Sequence, residues 1–154
     1  MTKIVMAIDP GLTTGYIISD GPFATNVFSV GEVQDFPALR VLLETYTPHI
    51  VVCESYRVYP WKAREQSFSN VPSAEIIGAI KDWCLSYDVQ YIEQGAGKAK
   101  ILNNRTIKAL GLWDITKNYR HARDAARHLI VYYMEDNEQL KKIGAALFKK
   151  EGVN

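Results

Sequence analysis

The chain has 154 residues, 47% hydrophobic and 23% charged, and its eighteen basic residues against seventeen acidic ones leave a formal net charge of +1. This composition excludes a disordered acidic chain, a collagen-like repeat and a disulfide-framed miniprotein, and the length sets the expectation of one domain over 1–154. Taken whole, the charge does not advertise a polyanionic partner. Cys53 and Cys84 lie in apolar stretches without metal-ligand spacing and read as small buried hydrophobes. The apolar run before Asp9 is only five residues long, too short for a signal peptide core, and no apolar run approaches the ~20 residues of a membrane helix. The expectation is a soluble, intracellular protein.

Ile4 to Ile8 is an unbroken apolar run, as in a central strand covered on both faces. It stops at Asp9-Pro10-Gly11. Tyr16 to Ile18 reads as a second strand, Ser19 to Pro22 as a turn and Thr25 to Val30 as a third strand, together an antiparallel meander. Asp35 is placed to cap a helix with Pro37 in its first turn and Leu39, Leu42, Leu43 and Tyr46 on one face; Pro48 ends it. His49 to Cys53 is a fourth strand, stopping at Glu54. A long loop over 55–72 leads to a helix capped by Ser73, with Ile76, Ile77, Ile80, Trp83 and Cys84 as its apolar stripe. Val89 to Ile92 is a fifth strand, ending near Glu93. A glycine-lysine loop (95–100), a short helix (103–110) and longer helices over about 119–134 and 138–149 complete the chain. The pattern predicts an α/β fold: a five-stranded mixed sheet, three antiparallel strands then two parallel, flanked by helices. A helical crossover makes strands one and four parallel.

Asp9 and Glu54 each follow one of the two best buried strands. Parallel neighbours would bring both acids to the carboxyl edge of the sheet, where open α/β sheets place ligands. Two carboxylates that close need a cation or a shared proton. His121 and Asp124 lie three apart on the long helix, at the edge of a packing face formed by Ala125, Ala126, Leu129, Tyr132 and Tyr133. Oxygen-rich clusters favour Mg²⁺ or Mn²⁺, and two such ions about 4 Å apart suit phosphodiester cleavage. The constellation of Asp9, Glu54, His121 and Asp124 predicts metal-assisted hydrolysis of a phosphodiester.

Asp9-Pro10-Gly11-Leu12-Thr13-Thr14-Gly15-Tyr16, then Glu54 after the fourth strand, then His121-Ala122-Arg123-Asp124-Ala125, resembles the RuvC-like Holliday junction resolvases over nearly the whole chain. Small size and a divergent middle look more like the phage-encoded branch. The resemblance implies an RNase H-like fold, with Asp9, Glu54 and Asp124 as metal ligands. His121 stands where many members have an acid and some a histidine; it implies a ligand with a leaning to Mn²⁺, or a proton shuttle. The resemblance also implies a homodimer acting on the opposing strands of a four-way DNA junction, in a bacterial cytoplasm or an infected cell.

Divided along the chain, the charge tells a different story. Residues 1–94 carry net −5, residues 95–128 carry +6 and residues 129–154 balance. The basic segment leads into the helix of His121 and Asp124, and Lys98, Lys100, Arg105 and Lys108 are its candidate phosphate contacts. After Glu54, Arg57, Tyr59, Trp61, Lys62 and Arg64 alternate charge with aromatic rings, a pattern suited to unpaired bases and phosphates. Gly95-Ala96-Gly97-Lys98 lacks the full phosphate-loop pattern, so no nucleotide cofactor is expected. His128, one turn beyond Asp124, is within reach of the site but reads rather as structural or a DNA contact. The competing readings are a YqgF-type nuclease of structured RNA and a non-catalytic branched-DNA-binding module. A sugar-kinase or actin-like ATPase needs two such domains.

Overall fold

Val5–Asp9 forms strand β1 at the centre of the sheet, because its apolar side chains are claimed alternately by two helical layers. Val5 and Ala7 face one layer; Met6 and Ile8 face the other. The computed structural model describes residues 2–55, 71–135 and 137–150. Its strands are β1, β2 (Thr14–Ser19), β3 (Val27–Val33), β4 (Ile50–Glu54) and β5 (Gln90–Gln94), in the spatial order β3-β2-β1-β4-β5. β1 pairs antiparallel with β2 and parallel with β4; β2–β3 is antiparallel and β4–β5 parallel. This is the expected mixed sheet.

The helices are α1 (Phe36–Tyr46), α2 (Val71–Ser86), α3 (Ala96–Lys100), α4 (Asn104–Ala109), α5 (Leu112–Ile115), α6 (Arg120–Met134) and α7 (Asn137–Lys150). Leu39 and Leu43 of α1 and the Ile76, Ile77, Ile80, Trp83, Cys84 stripe of α2 cover one face of the sheet. The other face is covered by α6, whose Ala122, Ala125 and Ala126 are fully buried. These small side chains let the helix lie close across β1 and β2. Asp35 caps α1, its carboxylate accepting from the Ala38 amide at 2.9 Å. Both cysteines are buried, and burial pushes their thiols up, consistent with inert core residues. Among the described residues no helix is long and apolar enough to cross a membrane.

Several sequence expectations need local correction. Ser73 does not cap α2, which begins two residues earlier; its hydroxyl donates instead to the Pro10 carbonyl at 3.2 Å, tying α2 to the turn after β1. The 95–100 segment is a short helix rather than a loop, since Ala96, Lys98, Ala99 and Lys100 are good helix formers. β3 starts later than expected because a 3₁₀ turn over Ala24–Asn26 precedes it, with Asn26 Oδ1 accepting from the Phe23 amide.

Candidate active site

The Ile8–Cys53 pair is the last in the β1–β4 register, so Asp9 and Glu54 emerge side by side one residue later. Strand alternation places both on the α6 face, following Val5 and Ala7 in one strand and Ile50 and Val52 in the other. The same alternation carries Gln94 past Ile92 in β5. Helical periodicity brings His121, Asp124 and His128 of α6 over this edge. Two features seat the amino end of α6. Gly15, opposite Asp9 in the β1–β2 register, is so near that an added Cβ would lie 2.0 Å from the His121 carbonyl carbon. Glu32, opposite Gly15 on β3, accepts a hydrogen bond from the His121 amide at 3.0 Å, serving a helix whose Tyr119 cap has no side-chain bond.

His121 Nδ1 lies 3.1 Å from Asp9 Oδ2. Potential ligand atoms of Asp9, His121 and Asp124 all fall within 4.8 Å of one another. Glu54 lines the same edge but is engaged elsewhere: its Oε2 is 2.9 Å from His128 Nε2. Burial, then the charge of Glu54, with a further contribution from Asp124, push the Asp9 carboxyl up to about 6, while the hydrogen bond and charge of His121 work against them. A cation among these carboxylates would remove that repulsion. Two carboxylates and an imidazole, with Glu54 beside them, fit a hard-to-borderline divalent ion such as Mg²⁺ or Mn²⁺.

The acids open onto a cleft of about 440 Å³ whose lining includes Asp9, Glu54, Lys100, Asp124, Arg127 and His128. Arg127 is a strut: it bonds Asp124 Oδ1 at 2.8 Å, the Leu102 carbonyl at 3.1 Å and Asn104 Oδ1 at 2.6 Å. It thereby fixes the α3–α4 connection to α6.

The expected DNA contacts divide. Lys98 is exposed but pairs with Glu135 at 3.2 Å. Lys100 reaches the cleft, and Arg105 is exposed on α4. Lys108 lies over the Trp113 ring at 4.6 Å, and Arg123 stacks on that ring at 4.0 Å while donating to the Thr116 and Lys117 carbonyls. Part of the +6 segment is thus spent on internal structure. Arg57, Tyr59, Trp61, Lys62 and Arg64 lie outside the described residues. Sequence reasoning missed Glu32 and Gln94, quoted Gly15 only as part of the motif, counted Arg127 only among the basic residues, and gave His128 no specific partner. The available signal for Gln94 was strand alternation, and for Arg127 and His128 their positions three and four residues after Asp124.

Structural comparison identifies the scaffold. Thermus thermophilus RuvC superposes with a TM-score of 0.58, at 16% identity and with 97% of each chain covered. The chain has the RuvC-type fold. T. thermophilus RuvC in complex with a Holliday junction substrate matches at TM-score 0.54, with 14% identity over 97% of each chain. Fowlpox virus resolvase, solved with its substrate Holliday junction DNA, matches at TM-score 0.55, with 17% identity over 86% of this chain and 97% of that one. This is the RNase H-like architecture that the sequence resemblance implied. No protein-family model matches the sequence, and no curated protein matches it.

Proposed function

We propose that this chain is a metal-dependent endonuclease that resolves Holliday junctions, and related branched DNA, by paired phosphodiester hydrolysis as a homodimer. The observation that carries this reading is the convergence of Asp9, His121 and Asp124, beside Glu54, at the carboxyl edge of a RuvC-type sheet. Asp9, His121, Asp124 and Glu54 would hold Mg²⁺ or Mn²⁺. Such ions, when bound, supply an activated water and charge stabilisation at the leaving oxygen. The imidazole of His121 orients Asp9 and, being partly exposed, is placed to move a proton beside it. Lys100 supplies positive charge to a phosphate entering the cleft. Among the described residues there is one such cluster, so cutting two strands of a junction calls for two copies. The two matched resolvase complexes contain Holliday junction DNA, which supports this substrate class.

A panel of four-way junctions, flaps, forks, duplex DNA and structured RNA, incubated with Mg²⁺ or Mn²⁺ and mapped for cut sites, tests the proposal. Symmetric paired nicks in the four-way junction are expected. Preferential cutting of structured RNA would favour the YqgF-type alternative, and tight junction binding without turnover would favour a binding module.

A further inference from the structure

His128 is fully buried, yet both of its ring nitrogens are engaged by side chains at the sheet edge. Nε2 is 2.9 Å from Glu54 Oε2, and Nδ1 is 2.9 Å from Gln94 Oε1. A buried imidazole without partners carries a desolvation cost, so two short contacts mark a built arrangement rather than incidental packing. The three residues come from β4, β5 and α6. Gln94 is itself buried, and its amide nitrogen has no hydrogen-bond partner among the described residues. Turning that amide over would let it donate to Nδ1 of a neutral ring. In that arrangement, Nε2–H is the group that donates to Glu54.

We infer that His128, backed by Gln94, is a positioning residue that holds the Glu54 carboxylate by Oε2 and leaves Oε1 to the cleft as a single-oxygen ligand. The inference rests on the metal-site reading above and names a device within it. Glu54 is the acid of the site that stands outside the Asp9–His121–Asp124 cluster, so its orientation decides whether a fourth protein ligand is available. A carboxylate on a half-exposed strand end has several rotamers. A bond from a fully buried ring removes most of them before metal arrives. Hydrogen-bond partners behind metal ligands commonly set 10–100-fold in metal affinity.

The test is Mn²⁺ titration of the whole chain by calorimetry, alongside melting curves with and without Mn²⁺. His128→Leu is expected to bind Mn²⁺ about 10–100-fold more weakly and to lose most of the metal-induced rise in Tm. His128→Gln keeps a donor and is expected to recover part of the loss; Gln94→Leu should give a smaller loss of the same sign. His128→Leu on a Glu54→Gln background should cost little further affinity, because the carboxylate it positions is gone. If His128→Leu folds poorly, the His128→Gln and Gln94→Leu titrations decide the matter. Unchanged or tighter Mn²⁺ binding in folded variants would overturn the inference, as would full additivity with Glu54→Gln. A wild-type chain that binds no Mn²⁺ would instead remove the metal-site reading itself, and this inference with it.

Discussion

Gly15 supports the backbone of His121 with no room for a side chain between them: an added Cβ would sit 2.0 Å from the His121 carbonyl carbon and 2.4 Å from the Ala122 nitrogen. Backbone cannot give way as a flexible side chain can, so Gly15→Ala must push the amino end of α6 off β2. The expected cost is about 3 kcal/mol, at the upper end of overpacking effects, measured by urea unfolding. Activity should fall further than stability explains, since His121 and Asp124 move with the helix. Full activity in a folded Gly15→Ala protein would mean that the site tolerates displacement of α6.

Glu32 offers a gentler probe of the same contact. Its carboxylate accepts from the His121 amide at 3.0 Å, a capping bond supplied from a neighbouring strand. Glu32→Ala should cost about 1 kcal/mol, as for loss of a helix cap. The measurement is the shift in urea midpoint at unchanged m-value.

The raised Asp9 carboxyl has a definite consequence for pH. Its folded value, about 6, stands above the ordinary 3.8. The folded state therefore holds this proton more tightly than the unfolded state does. The associated stability is fully present below pH 4 and is lost as pH rises through 6, on the order of 3 kcal/mol. In EDTA, Asp9→Asn should remove this loss and melt above the wild type at pH 7. Mn²⁺ competes with the proton, so its affinity for the wild type should climb through pH 6 and then level. A pH-independent Mn²⁺ affinity between pH 5 and 7 would contradict the crowded-carboxylate picture.

The basic residues should separate by salt dependence. Lys100 lines the cleft, and Lys100→Ala should weaken junction binding and lower the salt slope by about 1. Lys108 is placed over Trp113. Lys108→Ala should leave the slope nearly unchanged and cost about 0.5–1 kcal/mol of stability through the lost cation–π contact. Binding measured at several salt concentrations distinguishes the two.

What the sequence made legible follows from where one physical pattern dominates. The apolar runs ending at Ile8 and Cys53 mark strands buried on both faces, and each stops at an acid; that alone brings Asp9 and Glu54 to one sheet edge. The His121–Asp124 spacing survives because α6 is long enough to show its period. Short elements such as α3 and α5 span too few residues to show one, so 95–100 reads as a loop. Ser73 reads as a cap because local rules do not see the Pro10 carbonyl, 63 residues away. The partnership of His128 with Glu54 and Gln94 depends on the rotation of α6 over the sheet, which no segment encodes alone. The whole-segment charge likewise cannot separate Lys100, at the cleft, from Arg123, stacked on Trp113.

Cleavage of a synthetic four-way DNA junction in Mn²⁺, compared between the wild type and Asp9→Asn, bears most directly on the assignment of this cleft as a metal-dependent resolvase site. The expected result is paired nicks by the wild type and none by Asp9→Asn, with junction binding by the variant largely intact. Cleavage by Asp9→Asn at the wild-type rate, or wild-type cleavage that persists in EDTA, would contradict it.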